Sequence, residues 1–142
     1  MEEIQSAIVD TSPLVAMLDD DDHYHAWAMA AFQHIRGPMM TCEPVIGEAF
    51  FLLKKLPKAQ DKLLEWINLG SLSVPFILAH EAEQIRVLLK KYRDRPMSLA
   101  DACLVRMSEM YERYCIFTLD SDFKIYRKNG REPLKLISPE KD

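Results

Sequence analysis

The stretch Ile8-Val9-Asp10-Thr11-Ser12 constrains the fold more than any other. A short β-branched run ending on a carboxylate reads as a buried parallel strand whose last residue reaches the sheet edge. Ligands of open α/β sheets sit outside the carboxyl ends of the strands, where strand order reverses. An acid there can hold a metal or a reacting group. Asp-Thr-Ser-Pro is also good turn and N-cap chemistry, which by itself would account for Asp10. The acids further along the chain tip the balance.

Between those acids, strand-like and helix-like runs alternate. Pro13 to Leu18 fits a short helix with Pro at its start, and 24–35 a second, with Trp27, Ala28, Ala31, Phe32 and Ile35 on one face. Met39 to Cys42 reads as a second strand, and Glu43-Pro44 opens a helix whose broad apolar face includes Val45, Ala49, Phe50, Leu52, Leu53 and Leu56. Glu48 projects at the edge of that face, and Phe51 falls on the polar side, where an aromatic needs a partner. A helix over 58–69 (Leu63, Leu64, Ile67), an edge strand over 71–77 with Pro75, and a helix over 79–92 carrying Ile85, Val87 and Leu88 follow. Ser98 and Asp101 match a capping box. The helix they open is expected to bury Leu99, Cys103, Leu104, Met107, Met110 and Tyr111, and to leave Asp101 on its flank. Strands over 114–119 and Leu134 to Ile137 complete five. This alternation predicts one domain, 1–142, with a mainly parallel sheet covered on both faces.

Composition sets outer limits. The 142 residues suffice for one real core, and 49% hydrophobic with 28% charged residues is an ordinary soluble composition. No apolar run approaches the ~18 residues needed to span a bilayer, and the acidic start lacks a signal-peptide layout. Cys42, Cys103 and Cys115 form neither a zinc spacing nor an even disulfide set, so a reducing cytoplasm is expected. The net charge of −4 is unevenly spread: residues 1–40 carry seven acids and one base. That front repels a polyanion unless local bases or a metal offset it. Asp19 to Asp22 read as a solvated loop, with Asp22 capping the next helix.

On a parallel sheet, strand ends put Asp10 and Asp120 on one edge, with Glu48 and Asp101 on helices that can begin there and Asp122 nearby. Converging carboxylates repel, which raises their pKa values or splays them. A hard cation such as Mg²⁺ or Mn²⁺ removes the conflict, because it prefers carboxylate and water oxygens.

Taken in order, Asp10-Thr11-Ser12, Glu48 early in a helix, Ser98-Leu99-Ala100-Asp101-Ala102 and Thr118-Leu119-Asp120-Ser121-Asp122-Phe123 resemble the PIN-domain family, close to the VapC-type toxins of toxin–antitoxin modules. The resemblance spans essentially the whole chain. It implies a three-layer α/β/α domain with a five-stranded parallel sheet in the order 3-2-1-4-5, and a Mg²⁺- or Mn²⁺-dependent endoribonuclease. Asp10, Glu48, Asp101 and Asp120 match the family's four main acids. Asp122 matches an accessory acid, and Ser12 and Thr118 match supporting hydroxyls. A homodimer and a small antitoxin protein are the partners it implies.

Metal-activated water would attack the phosphodiester, with no side-chain nucleophile. Lys90, Lys91, Arg93 and Arg95 before Asp101, and Lys124, Arg127 and Lys128 after Asp120, are candidates for holding the RNA backbone. A protein-binding module that keeps the fold without turnover is the alternative. A phosphoacceptor receiver domain ranks last, because the third and fifth strand ends read Pro75-Phe76-Ile77 and Leu136-Ile137-Ser138, without the required aspartate and lysine.

Overall fold

The computed structural model describes residue 4 and residues 6–139. Its central strand, β1 (Ala7–Val9), is inaccessible on both faces. This is why the run has no polar alternation: a parallel strand covered by helices on both sides buries every side chain. The chain continues through α1 (Thr11–Leu18), α2 (His25–Gln33), β2 (Met39–Met40), α3 (Glu43–Leu52), α4 (Pro57–Asn68), β3 (Leu72–Ser73), α5 (Leu78–Lys91), α6 (Leu99–Met110) and β4 (Cys115–Phe117). A 3-10 turn (Ser121–Lys124), a two-stranded ribbon of β5 (Arg127–Lys128) and β6 (Glu132–Pro133), and β7 (Leu136–Ile137) complete it.

The five parallel strands lie in the order β3-β2-β1-β4-β7. This is the expected 3-2-1-4-5 order, with the antiparallel β5–β6 ribbon inserted before the fifth parallel strand. Ile8 stands between Met40 and Ile116, and Val9 beside Phe117. One residue later the chain leaves the sheet, and the Asp10 amide still bonds the Phe117 carbonyl at 2.9 Å. Asp10 and Thr118 therefore emerge side by side at the C-terminal edge.

Helix α6 packs against α3, α5, β1 and β4, with Leu104 and Met107 fully buried. Shortening Leu104 to alanine there costs about 2–5 kcal/mol. Several helix faces differ from the periodicity. Leu52, Leu56, Leu64, Val87, Leu99 and Met110 are exposed, although each was expected on a buried face. The helical repeat fixes which residues share a face, but the width of the covered stripe depends on what packs opposite. Asp101 departs the other way: it is buried at 9% exposure rather than lying on the flank. Asp22 does not cap α2; its carboxylate closes the preceding turn by accepting the Tyr24 amide at 2.8 Å. No described helix is long and apolar enough to cross a membrane.

Candidate active site

Asp10 is both a helix cap and the centre of the acidic cluster. As N-cap of α1 it accepts the Thr11 amide on Oδ1 at 2.7 Å, while Oδ2 accepts the Thr118 hydroxyl at 2.7 Å. The cap uses one carboxylate oxygen and the bond to Thr118 the other. Burial is the main reason its carboxyl is pushed up from 3.8 to about 6. The two hydrogen bonds pull it down, and the charges of Asp101 and Asp120 push it further up.

Two threonines link Asp10 to its neighbours. Thr118 donates to Asp10 and accepts the Asp120 amide at 2.9 Å, fixing both acids on one hydroxyl. Thr11 donates its hydroxyl to Glu48 Oε1 at 2.7 Å, which draws the α3 carboxylate towards α1. Thr118 is the expected supporting hydroxyl. Ser12 is exposed, and Thr11 makes the bond to Glu48. The sequence Asp10-Thr11-Ser12 offers two adjacent hydroxyls and does not distinguish them; the start of α1 at Thr11 decides which one faces α3.

Asp101 sits in the capping box of α6, where its amide bonds Ser98 Oγ at 3.0 Å and its Oδ2 accepts the Ser98 amide at 3.4 Å. The same Oδ2 accepts the phenol of fully buried Tyr126 at 3.1 Å. Tyr126 is wedged edge-on between Tyr92 and Phe123, with centroids at 5.1 and 5.3 Å. Burial first, then the charge and hydrogen bond of Asp101, hold its phenol protonated. Burial also raises the Asp101 carboxyl, against the Ser98 and Tyr126 hydrogen bonds, and Asp120 adds to the rise. No local sequence signal pointed to Tyr126, which meets Asp101 only through tertiary packing.

Asp120 caps the 3-10 turn, accepting the Asp122 amide on Oδ1 at 2.9 Å. The fold thus brings Asp10, Asp101 and Asp120 within electrostatic reach and ties Glu48 in through Thr11. Asp122 lies to one side, where its charge is felt by the Tyr126 phenol. Among the described residues, no three His, Cys, Asp or Glu side chains are gathered tightly enough to hold one ion as they stand. Burial raises the Asp10 and Asp101 carboxyls most, and the neighbouring carboxylates add to the rise. The donor set is all carboxylate oxygen, with Asp101 Oδ1, Asp120 Oδ2 and Glu48 Oε2 taking no hydrogen bond from the described residues. That chemistry fits a hard divalent cation.

The bases fall into two kinds. Lys124 lines a groove of about 200 Å³ together with Asp120 and Ser121. Arg127 is partly engaged, its Nη1 donating to the carbonyls of Lys124, Ile125 and Tyr126. Lys90 and Arg93 are exposed, and Lys91 donates to the Gly130 carbonyl, tying the end of α5 to the ribbon; Lys128 is buried. The two basic stretches, far apart in sequence, therefore share one side of the molecule.

A family model of the PIN domain matches residues 7–129. The chain belongs to the PIN-domain family. A solved structure similar to this PIN domain is VapC20 of Mycobacterium tuberculosis, a toxin that cleaves the sarcin–ricin loop. The TM-score is 0.74 at 24% identity, over 84% of this chain and 93% of that one. At that identity the likeness is one of fold. No curated protein matches this sequence.

Proposed function

We propose that this PIN domain is an endoribonuclease of the VapC type, dependent on Mg²⁺ or Mn²⁺. The observation that carries this reading is the set of like-charged acids at the sheet edge, none of them in an ion pair with a described base. Asp10 and Asp101 are buried, Asp120 is close enough to raise both, and Glu48 is tethered to Asp10's own helix. A purely structural cluster would include a cation from the protein.

In this reading Asp10, Glu48, Asp101 and Asp120 hold the cation, and Asp122 is accessory. When bound, the cation supplies an activated water and stabilises charge on the phosphodiester. Thr118 and Thr11 fix the directions of Asp10, Asp120 and Glu48, and the capping box fixes Asp101. Lys124 holds a phosphate beside Asp120, and Lys90, Arg93 and the unengaged part of Arg127 extend that hold.

A protein partner fits the α3 end. Phe51 is 64% exposed with the Lys54 ammonium 4.1 Å over its ring, and Leu52 and Leu56 are exposed beside it. We assign this surface to a second copy or a small antitoxin. The three unpaired cysteines suit a reducing cytoplasm.

The test is RNA cleavage with Mg²⁺ or Mn²⁺, comparing wild type with Asp10→Asn. Metal-dependent cleavage lost in the variant supports the reading. Equal cleavage by both proteins takes the chemistry away from Asp10 and overturns the reading; cleavage by neither overturns it and leaves a protein-binding module.

A further inference from the structure

Two grooves meet at the acidic edge, and they share the side chains of Tyr24 and Leu119. One, of about 200 Å³, holds Asp120 and Lys124; the other, of about 430 Å³, holds Val15, Leu52, Asp19 and Asp22. Their polarity differs in a way that matters for a nucleotide. The first offers a cation for a phosphate. The second has an apolar lining, two carboxylates and no base, so it repels a phosphate and accepts a flat apolar group that carries hydrogen-bond donors.

Tyr24 stands between them, 41% exposed at the start of α2. Its backbone is held in place before any ligand arrives. Its amide bonds Asp22 Oδ1 at 2.8 Å, the next amide bonds the Asp22 carbonyl at 3.0 Å, and His25 Nδ1 pairs with the Ala16 carbonyl at 2.7 Å. His23 meets its ring edge-on at 4.9 Å. A tyrosine on a held backbone has only two side-chain torsions to lose, so stacking a base on it costs little entropy.

We infer that Tyr24 and Leu119 form a nucleobase subsite beside the scissile position, with Asp19 and Asp22 at its rim. The inference rests on the ribonuclease reading above and names what that site grips besides phosphate. Asp19 and Asp22 each use Oδ1 to build the loop, by accepting the Asp21 and Tyr24 amides. Their second oxygens suit the exocyclic amino groups of adenine, cytosine or guanine, which uracil lacks. The acidic run thereby gains a role: it selects a base and excludes a phosphate.

The experiment measures binding of a labelled single-stranded RNA 12-mer in Mg²⁺, in an Asp101→Asn background that binds without cutting. Tyr24→Ala is expected to weaken binding on the order of 5- to 150-fold, the range for one lost base stack. Its salt dependence should not change, because no phosphate contact is lost. Tyr24→Phe should bind within about twofold of the parent, since the ring is kept. An abasic oligonucleotide should bind parent and Tyr24→Ala alike, and an oligouridylate should bind more weakly than mixed sequence. Equal affinity of parent and Tyr24→Ala for mixed-sequence RNA overturns the subsite and leaves the ribonuclease reading standing. A Tyr24→Ala loss that persists on abasic RNA also overturns it. Absence of any RNA binding by the parent, with no cleavage by wild type, removes both.

Discussion

Helix α6 carries two half-buried charge clusters that could hardly differ more. In its first turn Asp101 feels the Asp10 and Asp120 carboxylates and pairs with none of the described cations. Further along, Arg106 sits between Glu81 at 2.7 Å and Glu109 at 3.2 Å, and Glu109 also accepts the Asn129 amide at 2.6 Å. Burial works against the Arg106 charge, but the bonds to both glutamates more than offset it and hold its pKa above the ordinary value. The second cluster is complete within the chain. The first is not: Asp10 and Asp101 are raised mainly by burial and further by their neighbouring carboxylates, with no ion pair to a described cation. Charge that the fold leaves unbalanced marks the site, and charge that it balances marks the scaffold.

The largest contrast should appear in catalysis. Asp101→Asn or Asp120→Asn should abolish RNA cleavage at every salt concentration, whereas Arg106→Met should leave turnover at saturating RNA close to wild type. Single-turnover assays of folded variants check this. Full activity in Asp120→Asn would break the contrast from one side, and inactive but folded Arg106→Met from the other.

Stability comes next, and the two clusters should respond with opposite signs. A carboxyl raised from 3.8 to about 6 favours the folded state while protonated. Between those values the folded protein keeps a proton that the unfolded chain has released, so this contribution is lost as pH rises through the window. At pH 7 without metal the Asp10 charge costs about 3 kcal/mol, and Asp10→Asn should recover much of it. The gain should shrink towards pH 4. Arg106→Ala should instead destabilise by roughly 1–3 kcal/mol, because Glu81 and Glu109 are left mostly buried without their cation. Urea melts at several pH values measure both.

Two smaller effects sharpen the picture of the acidic edge. Tyr126→Phe should leave the aromatic packing in place and remove the 3.1 Å bond to Asp101. A loss of about 1 kcal/mol in stability and a weaker metal response are expected. Lys124→Ala should lower the salt slope of RNA binding by ~0.7 while cleavage at saturating RNA survives. An unchanged slope would return Lys124 to the solvated surface.

How much of this could be read from the sequence depends on whether the interaction is local. Asp10 at the end of an apolar run and the Ser98–Asp101 box are local signals, and the structure carries both; the strand order was legible only through the family resemblance. The β5–β6 ribbon was not anticipated, although Asn129-Gly130, with φ of 50° and 88°, is a hairpin signal. Its strands are two residues long and carry charged residues, so no alternation announces them. The burial of Asp101 depends on Tyr126, 25 residues later. The choice of Thr11 over Ser12 depends on where α1 begins. Neither fact exists before the layers pack.

The central claim is that these acids form one unfinished cation site, and thermal unfolding of wild type and Asp10→Asn with and without Mn²⁺ tests it most directly. Without metal the variant should be the more stable protein at pH 7. At ~100 times the dissociation constant, Mn²⁺ should stabilise wild type by about 2.7 kcal/mol and the variant far less. Equal stabilisation of both proteins, or a metal-free variant less stable than wild type, would contradict the account.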